Sequence, residues 1–429
     1  MACYIGVDFG TSGARAIALN AQAVIMAQVS ERFSPVAPEA WAALWRSVLF
    51  RLLQQLPADV RAQTRAIAIN GTSSTVLLCD RAGQPLTAPL LYNDASGQPA
   101  LPRLQSLLSQ DQYGQVSGKA NVLSATSSLV KLLWWQRQPI YQQARFFMHQ
   151  ADWLAFLLHG QPGISDYHNA LKLGYDVMQL RYPDWITALN VQPLLPRVFP
   201  PGTAIAPIQP HLAAELGLPA SCQIHAGTTD SIAAFLASGA IAPGEAVTSL
   251  GSTLVLKLLS TTPVEHPAYG IYSHRLGDLW LVGGASNTGG AVLQQFFSTA
   301  ELAHLSAQIP TQHESPLSYY PLTQPGERFP INDPHLLPQL EPKPDNPVAF
   351  LHGLLESMAR IEAQGYRLLQ QLGATPLTQV YTAGGGATNP AWTAIRDRQL
   401  GVPVQPSPQT EAAYGTARLA MQPYQHSSH

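Results

Sequence analysis

Two stretches of the chain share one local grammar: Tyr4 to Leu19, YIGVDFGTSGARAIAL, and Glu245 to Leu259, EAVTSLGSTLVLKLL, each run strand, a turn of glycine and two hydroxyl residues, strand. Such a recurrence constrains the fold more than any other feature, because it predicts two similar domains. In the first copy Ile5 and Val7 alternate with small or polar neighbours as in a half-buried strand, and Ala16 to Leu19 restart an apolar run after the turn. Gly10 and Gly13 permit the sharp backbone path, which leaves the N–H groups of Thr11 and Ser12 to face an anion. The segment Val7-Asp8-Phe9-Gly10-Thr11-Ser12 lines up with Thr248-Ser249-Leu250-Gly251-Ser252-Thr253. Only the first copy carries a carboxylate, Asp8, placed to hold a metal ion or its waters beside that anion. Taken alone, either copy also reads as an ordinary hairpin with a polar turn, and the two readings stay open at this point.

Length agrees with two domains, since 429 residues exceed one typical core and suit two of about 200 residues each. An apolar fraction of 46% lets both bury a core. Charged residues make up only 12%, about half the usual share, and the net charge is −2. Neither nucleic acid nor an anionic membrane is therefore an expected partner. The 13 histidines are scattered without metal-ligand spacing, which gives a zinc site no support. Cys3, Cys79 and Cys222 form no CxxC pair, and fit a reducing compartment with thiols acting as small apolar residues. Asp8 falls where a signal peptide needs its apolar core, and the longest weakly polar stretch, near Ile232 to Ala242, is too short to span a bilayer. The expectation is a soluble, cytoplasmic protein.

Along the first half, an apolar run ending at Ile69 enters Asn70-Gly71-Thr72-Ser73-Ser74, and a second strand, TVLLCD, follows. Helices are predicted at Trp41 to Gln55, Ser128 to Gln136 and Ala151 to His159, the last stopped by Gly160. Prolines recur between Tyr182 and Pro210, and the domain boundary is expected just beyond, giving domains 1–221 and 222–429. The second half opens with a strand, Cys222 to Ala226, then Gly227-Thr228-Thr229-Asp230 and a small-residue helix from Ser231 to Gly239. Asp230 stands at the start of that helix, where an aspartate caps well. Pro310 to Pro347 is proline-rich and expected to be irregular. A helix from about Pro347 to Leu372 precedes the strand QVYTA, which enters Gly384-Gly385-Gly386-Ala387 before Asn389-Pro390 starts another helix.

The strand-turn-strand with Asp8, its partner with Ser252 and Thr253, Asp230 at a helix start and the late triple glycine, in this order, resemble the FGGY carbohydrate kinases of the actin, hexokinase and heat-shock-protein-70 superfamily. Further segments extend the likeness: Leu91-Tyr92-Asn93-Asp94, Ser165-Asp166-Tyr167-His168-Asn169-Ala170, Gly283 to Gly290, and Glu411 to Ala417. The resemblance covers about residues 3 to 421 and is strongest to the cyanobacterial and plant D-ribulose kinase branch, on DFGTSGARAIA, SDYHNALKLGY, AGTTDSIAAFLASGA and TSLGST. It implies an α/β fold of two RNase-H-like domains flanking a central cleft, a sugar-binding first domain and a nucleotide-binding second one. It also implies transfer of the γ-phosphoryl group of ATP, with Mg²⁺, to a sugar hydroxyl. A loose, negatively charged transition state then asks the protein mainly to align donor and acceptor and to spread charge.

On that resemblance Asp230 is the general base and Asp8 positions Mg²⁺ through its waters and touches the sugar. Gly10, Thr11 and Ser12 contact the β- and γ-phosphates from the first hairpin, Ser12 also facing the sugar, while Gly251, Ser252 and Thr253 do so from the second. Gly384, Gly385, Gly386 and Asn389 resemble the adenosine-binding motif, although Asn389 before Pro390 is also a conventional helix start. Where typical xylulokinases carry Met-His in the turn after Asn70, this chain has Ser73-Ser74, and Ser231 follows the catalytic aspartate where those enzymes have Asn. Ser73 is thus the expected sugar contact, and D-ribulose is expected ahead of D-xylulose. The rival reading is a nucleotide-binding regulatory protein that has lost sugar transfer, which the presence of both Asp8 and Asp230 argues against.

Overall fold

The opening hairpin forms as its alternation predicts. Strands β1 (Cys3–Phe9) and β2 (Gly13–Asn20) pair antiparallel, with Asp8 opposite Arg15 and Phe9 opposite Ala14. Strand β3 (Ile25–Arg32) extends the meander from β2, and β4 (Thr64–Gly71) lies parallel to the other edge of β1, setting Asp8 beside Asn70. These coordinates are a computed structural model that describes residues 2–109 and 119–421.

The run after Asn70 does not close into a hairpin. Strand β5 (Val76–Cys79) leaves β4 and pairs antiparallel with β6 (Phe146–His149) in a separate sheet. Its residues are buried on both faces. Val76 and Leu78 enter one apolar cluster, and Leu77 and Cys79 enter another with Ile5, Val7 and Phe9. A strand shared by two cores cannot also serve as the solvent-facing arm of a hairpin. Strands β7 (Ile164–Asp166) and β8 (Arg197–Phe199) form a short parallel pair. The first sheet is completed by β9 (Ala204–Pro207), β10 (Gln223–His225) and β11 (Thr228–Thr229), in the order β3-β2-β1-β4-β10-β9 with β11 also on β4.

One face of this sheet is covered by the helix Trp41–Gln55, which buries Trp45, Val48, Leu49, Leu52 and Leu53 at the spacing of an apolar stripe. On the other side lies the helix Ala412–Met421, close enough to β1 that a Cβ on Gly6 would stand 2.1 Å from the Ala417 nitrogen. Asn70 donates to Thr416 Oγ1 at 2.6 Å, and Arg15 pairs with Glu411. The order Ser128, His149, Asp152 in one hydrogen-bonded chain looks nucleophilic, but all three are sealed from solvent and His149 and Asp152 form the capping box of the helix Gln150–His159. The three cysteines are buried and form no disulfide among the described residues.

Two compact units result, one of residues up to Ala237 together with those from Glu411 on, the other Ser238–Thr410. The expected boundary between 221 and 222 is thereby corrected to 237/238. Strands β10 and β11 hydrogen-bond to β4, which ties Cys222 to Ala237 to the first sheet, and the chain returns to that unit for its last helix.

The second unit repeats the plan. Strands β12 (Glu245–Leu250), β13 (Leu254–Ser260), β14 (Tyr272–Leu276), β15 (Leu279–Ser286), β16 (Gln379–Ala383) and β17 (Val404–Pro406) stand in the order β14-β15-β13-β12-β16-β17. An antiparallel meander again begins at the strand before the Gly-Ser-Thr turn, and β16 runs parallel to that strand as β4 does to β1. Each unit is therefore RNase-H-like. The helix Pro347–Gln371 starts on Asn346, whose side chain accepts from the Val348 N–H, and Pro390–Leu400 covers the parallel strands. Ahead of the first of these helices, the proline-rich stretch has only isolated bridges, Tyr320 to Gln339 and Glu327 to Asp333. Among the described residues no helix is long and apolar enough to cross a membrane.

Candidate active site

In the first unit β4 is flanked by two strands that each deliver a carboxylate at the carboxyl end. Asp8 is the next-to-last residue of β1, opposite Asn70, while Thr228 and Thr229 pair with Asn70 and Gly71 and hand the chain to Asp230. Asp230 is the first residue of the helix Asp230–Ala237, one position inside it, and its Oδ1 accepts from the Ser231 N–H at 2.6 Å. An acid there also gains from the positive end of the helix. Burial first, and then repulsion from Asp230, push the Asp8 carboxyl up to about 6, against the pull of Arg15 and the Asn70 amide. The Asp8 Oδ1 is buried with no hydrogen-bond partner among the described residues. An unpaired buried carboxylate oxygen beside a second acid is a donor set that fits a divalent cation.

The turn beside them is tighter than its sequence suggested. Gly10 uses its N–H to close on the Gly13 carbonyl at 3.0 Å, so it offers no donor to an anion. Thr11 and Ser12 are exposed at the tip, and their N–H groups make no hydrogen bond among the described residues. In the serine turn Ser73 is half-buried, whereas Ser74 is buried at a φ of 64° with its hydroxyl unpaired among the described residues. Lys131, itself buried, holds this turn by donating to the Ser74 carbonyl at 2.8 Å and to that of Leu91, next to Tyr92. Burial pulls its ammonium down to about 8, with Asp94 opposing.

Residue-level reading missed three groups here. Arg15 faces Asp8 across the hairpin, a neighbour that antiparallel register alone would have revealed. Ser74 needed the backbone dihedral. Lys172 follows the Asp166-Tyr167-His168-Asn169-Ala170 segment, in which Asp166 caps the helix Tyr167–Ala170 and His168 Nδ1 meets Thr228 Oγ1 at 2.7 Å. Lys172 stands in the 3-10 turn Leu171–Leu173 that continues from this helix. Burial lowers its pKa, and the charge of Asp230 opposes that.

The second unit holds a cavity of about 720 Å³ lined by Gly251, Ser252, Leu302, Gly385, Asn389 and Trp392 among others. Its volume suits a ligand of nucleoside size. Thr253 is not among the residues lining it, and instead lies against Gly289, whose Cβ would fall 2.7 Å from the Thr253 Cα. The three consecutive glycines answer three different demands. Gly384 has φ 84° and backs onto the Leu250 carbonyl, where a Cβ would stand 2.7 Å from the oxygen. A Cβ on Gly386 would strike Leu250 and Trp392, while one on Gly385 meets nothing within 4 Å. Asn389 spends its side chain within the fold, accepting from the Trp392 N–H at 3.1 Å and donating to Ser306 Oγ at 2.8 Å. It caps the helix and contributes wall to the cavity.

Residues 3–237 match the description "FGGY family of carbohydrate kinases, N-terminal domain" and residues 246–422 the corresponding C-terminal domain. Over 449 aligned residues the chain is 24% identical to a xylulose kinase of Escherichia coli, covering 97% of this chain and 89% of that one. It is 20% identical to a gluconokinase of Bacillus subtilis over 90% of this chain and 81% of that protein. Its fold is similar to a xylulose kinase structure from Brucella ovis with TM-score 0.83 at 22% identity, covering 98% of this chain and 90% of the other. Two RNase-H-like units, the carboxylates flanking β4, and family matches across nearly the whole chain identify this protein as a member of the FGGY family of carbohydrate kinases.

Proposed function

We propose that this sugar kinase, an ATP- and Mg²⁺-using phosphotransferase of its family, phosphorylates a ketopentose, D-ribulose in preference to D-xylulose, with Asp230 as general base. The observation that carries the reading is the pair of carboxylates at the ends of the strands flanking β4, with one oxygen of Asp8 buried and unpaired. Asp230 accepts the proton of the attacking hydroxyl, while Asp8 holds the waters of the magnesium ion. The bound ion supplies neutralisation of the transferring phosphoryl charge. Thr11 and Ser12 donate their N–H groups to that phosphoryl group, and the glycine-lined cavity takes the adenosine.

Preference for D-ribulose rests on the serine turn. Ser73 and Ser74 occupy it with small hydroxyl side chains, and the buried, unpaired Ser74 hydroxyl is a group that a correctly placed sugar hydroxyl would satisfy. A wrong epimer would leave it unpaired, a large penalty in a buried site. D-Xylulose is the second reading, favoured by the relative from Escherichia coli that carries that name. The deciding experiment is ADP release over a panel of pentuloses, hexuloses, polyols and no sugar. The expected result is highest kcat/KM with D-ribulose, and loss of sugar-dependent release by roughly a hundred- to ten-thousandfold in Asp230→Asn. A flat panel, or wild-type turnover in that variant, would refute the reading.

A further inference from the structure

The second unit buries a charged network directly behind the turns that line its cavity. Arg396, fully buried, grips Glu362 through two bonds, Nε to Oε2 at 2.6 Å and Nη2 to Oε1 at 2.7 Å. Its Nη1 donates to Thr382 Oγ1 at 2.6 Å, and Glu362 Oε1 also accepts from Thr248 Oγ1 at 2.6 Å. Tyr366 Oη lies 2.8 Å from the same Thr248 hydroxyl. Thr248 and Thr382 are register partners on β12 and β16. Three residues beyond Thr248 comes Gly251, and two beyond Thr382 comes Gly384. The ion pair, supplied by the helices Pro347–Gln371 and Pro390–Leu400, thus clamps both strands just before their glycine turns.

Burying both ions costs about as much as their attraction returns, so such a pair adds little net stability over apolar residues of the same shape. Its bidentate geometry supplies orientation instead. We propose that Arg396 and Glu362, acting through Thr382 and Thr248, are positioning residues that fix the spacing of the Gly251 and Gly384–Gly386 turns for the bound nucleotide. The proposal rests on the nucleotide reading of the cavity.

The test is calorimetric titration of the full chain with ADP, alongside KM for ATP, KM for sugar, kcat and the thermal midpoint. Thr382→Val and Thr248→Val delete single hydroxyls and are expected to weaken ADP binding and raise KM for ATP by roughly 5- to 30-fold. KM for sugar and kcat at saturating ATP stay within about twofold, and Thr382→Ser and Thr248→Ser restore binding. A paired change of Arg396→Leu with Glu362→Met keeps the volume apolar, and is expected to hold the thermal midpoint while losing ADP affinity. If wild type binds ADP, Gly385→Leu abolishes it and both valine variants bind as wild type does, the inference is overturned and the nucleotide reading stands. If wild type does not bind ADP, or Gly385→Leu binds it unchanged, the nucleotide reading falls and takes this inference with it. A paired variant with unaltered ADP affinity also overturns the inference.

Discussion

Asp8 carries the charge problem of the first unit. Its carboxyl is raised from 3.8 to about 6 in the folded chain, so the native state holds that proton more tightly than the unfolded one. The stability tied to this proton is present in full below about pH 4 and is lost as pH rises through about 6. Asp8→Asn cannot ionise, so it should raise the thermal midpoint by roughly 5 °C at pH 7.5, leave it unchanged near pH 4, and lose Mg²⁺-dependent turnover. Equal shifts at both pH values in a calorimetric melt would contradict the assignment. Gly385 poses the opposite case, a position where the fold tolerates a side chain and the cavity does not. Gly385→Leu should melt within about 2 °C of wild type yet raise KM for ATP by more than roughly tenfold, because its side chain enters open space that lines the pocket. Unchanged KM in that variant would remove the cavity from the nucleotide site.

At the scale of elements, the two hairpins that the sequence aligned do differ in the turn. Phe9 pairs with Ala14 across four residues, whereas Leu250 pairs with Leu254 across three, so the first tip is the longer. Alternation and turn chemistry made the strands, the capped helices and both glycine turns legible, because each is written in local periodicity. Partnership between strands was not. Thr75 to Asp80 reads only as a second strand after the turn, and the existence of two cores explains why β5 turns away to β6. Packing distance was equally invisible. Gly6 reads as an ordinary small residue in β1, yet it admits the helix Ala412–Met421 to contact distance of the strand that carries Asp8. Gly6→Val should therefore destabilise the first unit by about 3 kcal/mol or more, measured by urea unfolding, since the obstacle is backbone that cannot step aside. A variant with wild-type midpoint would show that helix to be displaceable.

Over the whole molecule, the chain leaves its first unit at Ala237 and re-enters it at Glu411, and a sequence read from left to right offers no local mark of that return. A stop codon after Thr410 should accordingly damage the first unit and spare the second: the Asn70 to Thr416 bond, the Arg15 to Glu411 pair and the cover over Ile17 and Leu19 all go. Hydrogen exchange would report it as lost protection in β1, β2 and β4 with protection kept in β12 and β16. Uniform retention of protection would refute the dependence. The sequence by itself determined the repeated α/β plan and the kinase family, and singled out Asp8, Asp230 and the glycine turns as candidates, because hydrophobic period, turn residues and motif order are properties of neighbours along the chain. Only the tertiary structure decided that both aspartates belong to one unit on either side of β4, that Ser74 rather than Ser73 is the buried hydroxyl, and that Arg396 reaches across two helices to the strands behind the cavity. Those are relations between residues far apart in sequence, set by strand pairing and packing, which no local pattern encodes.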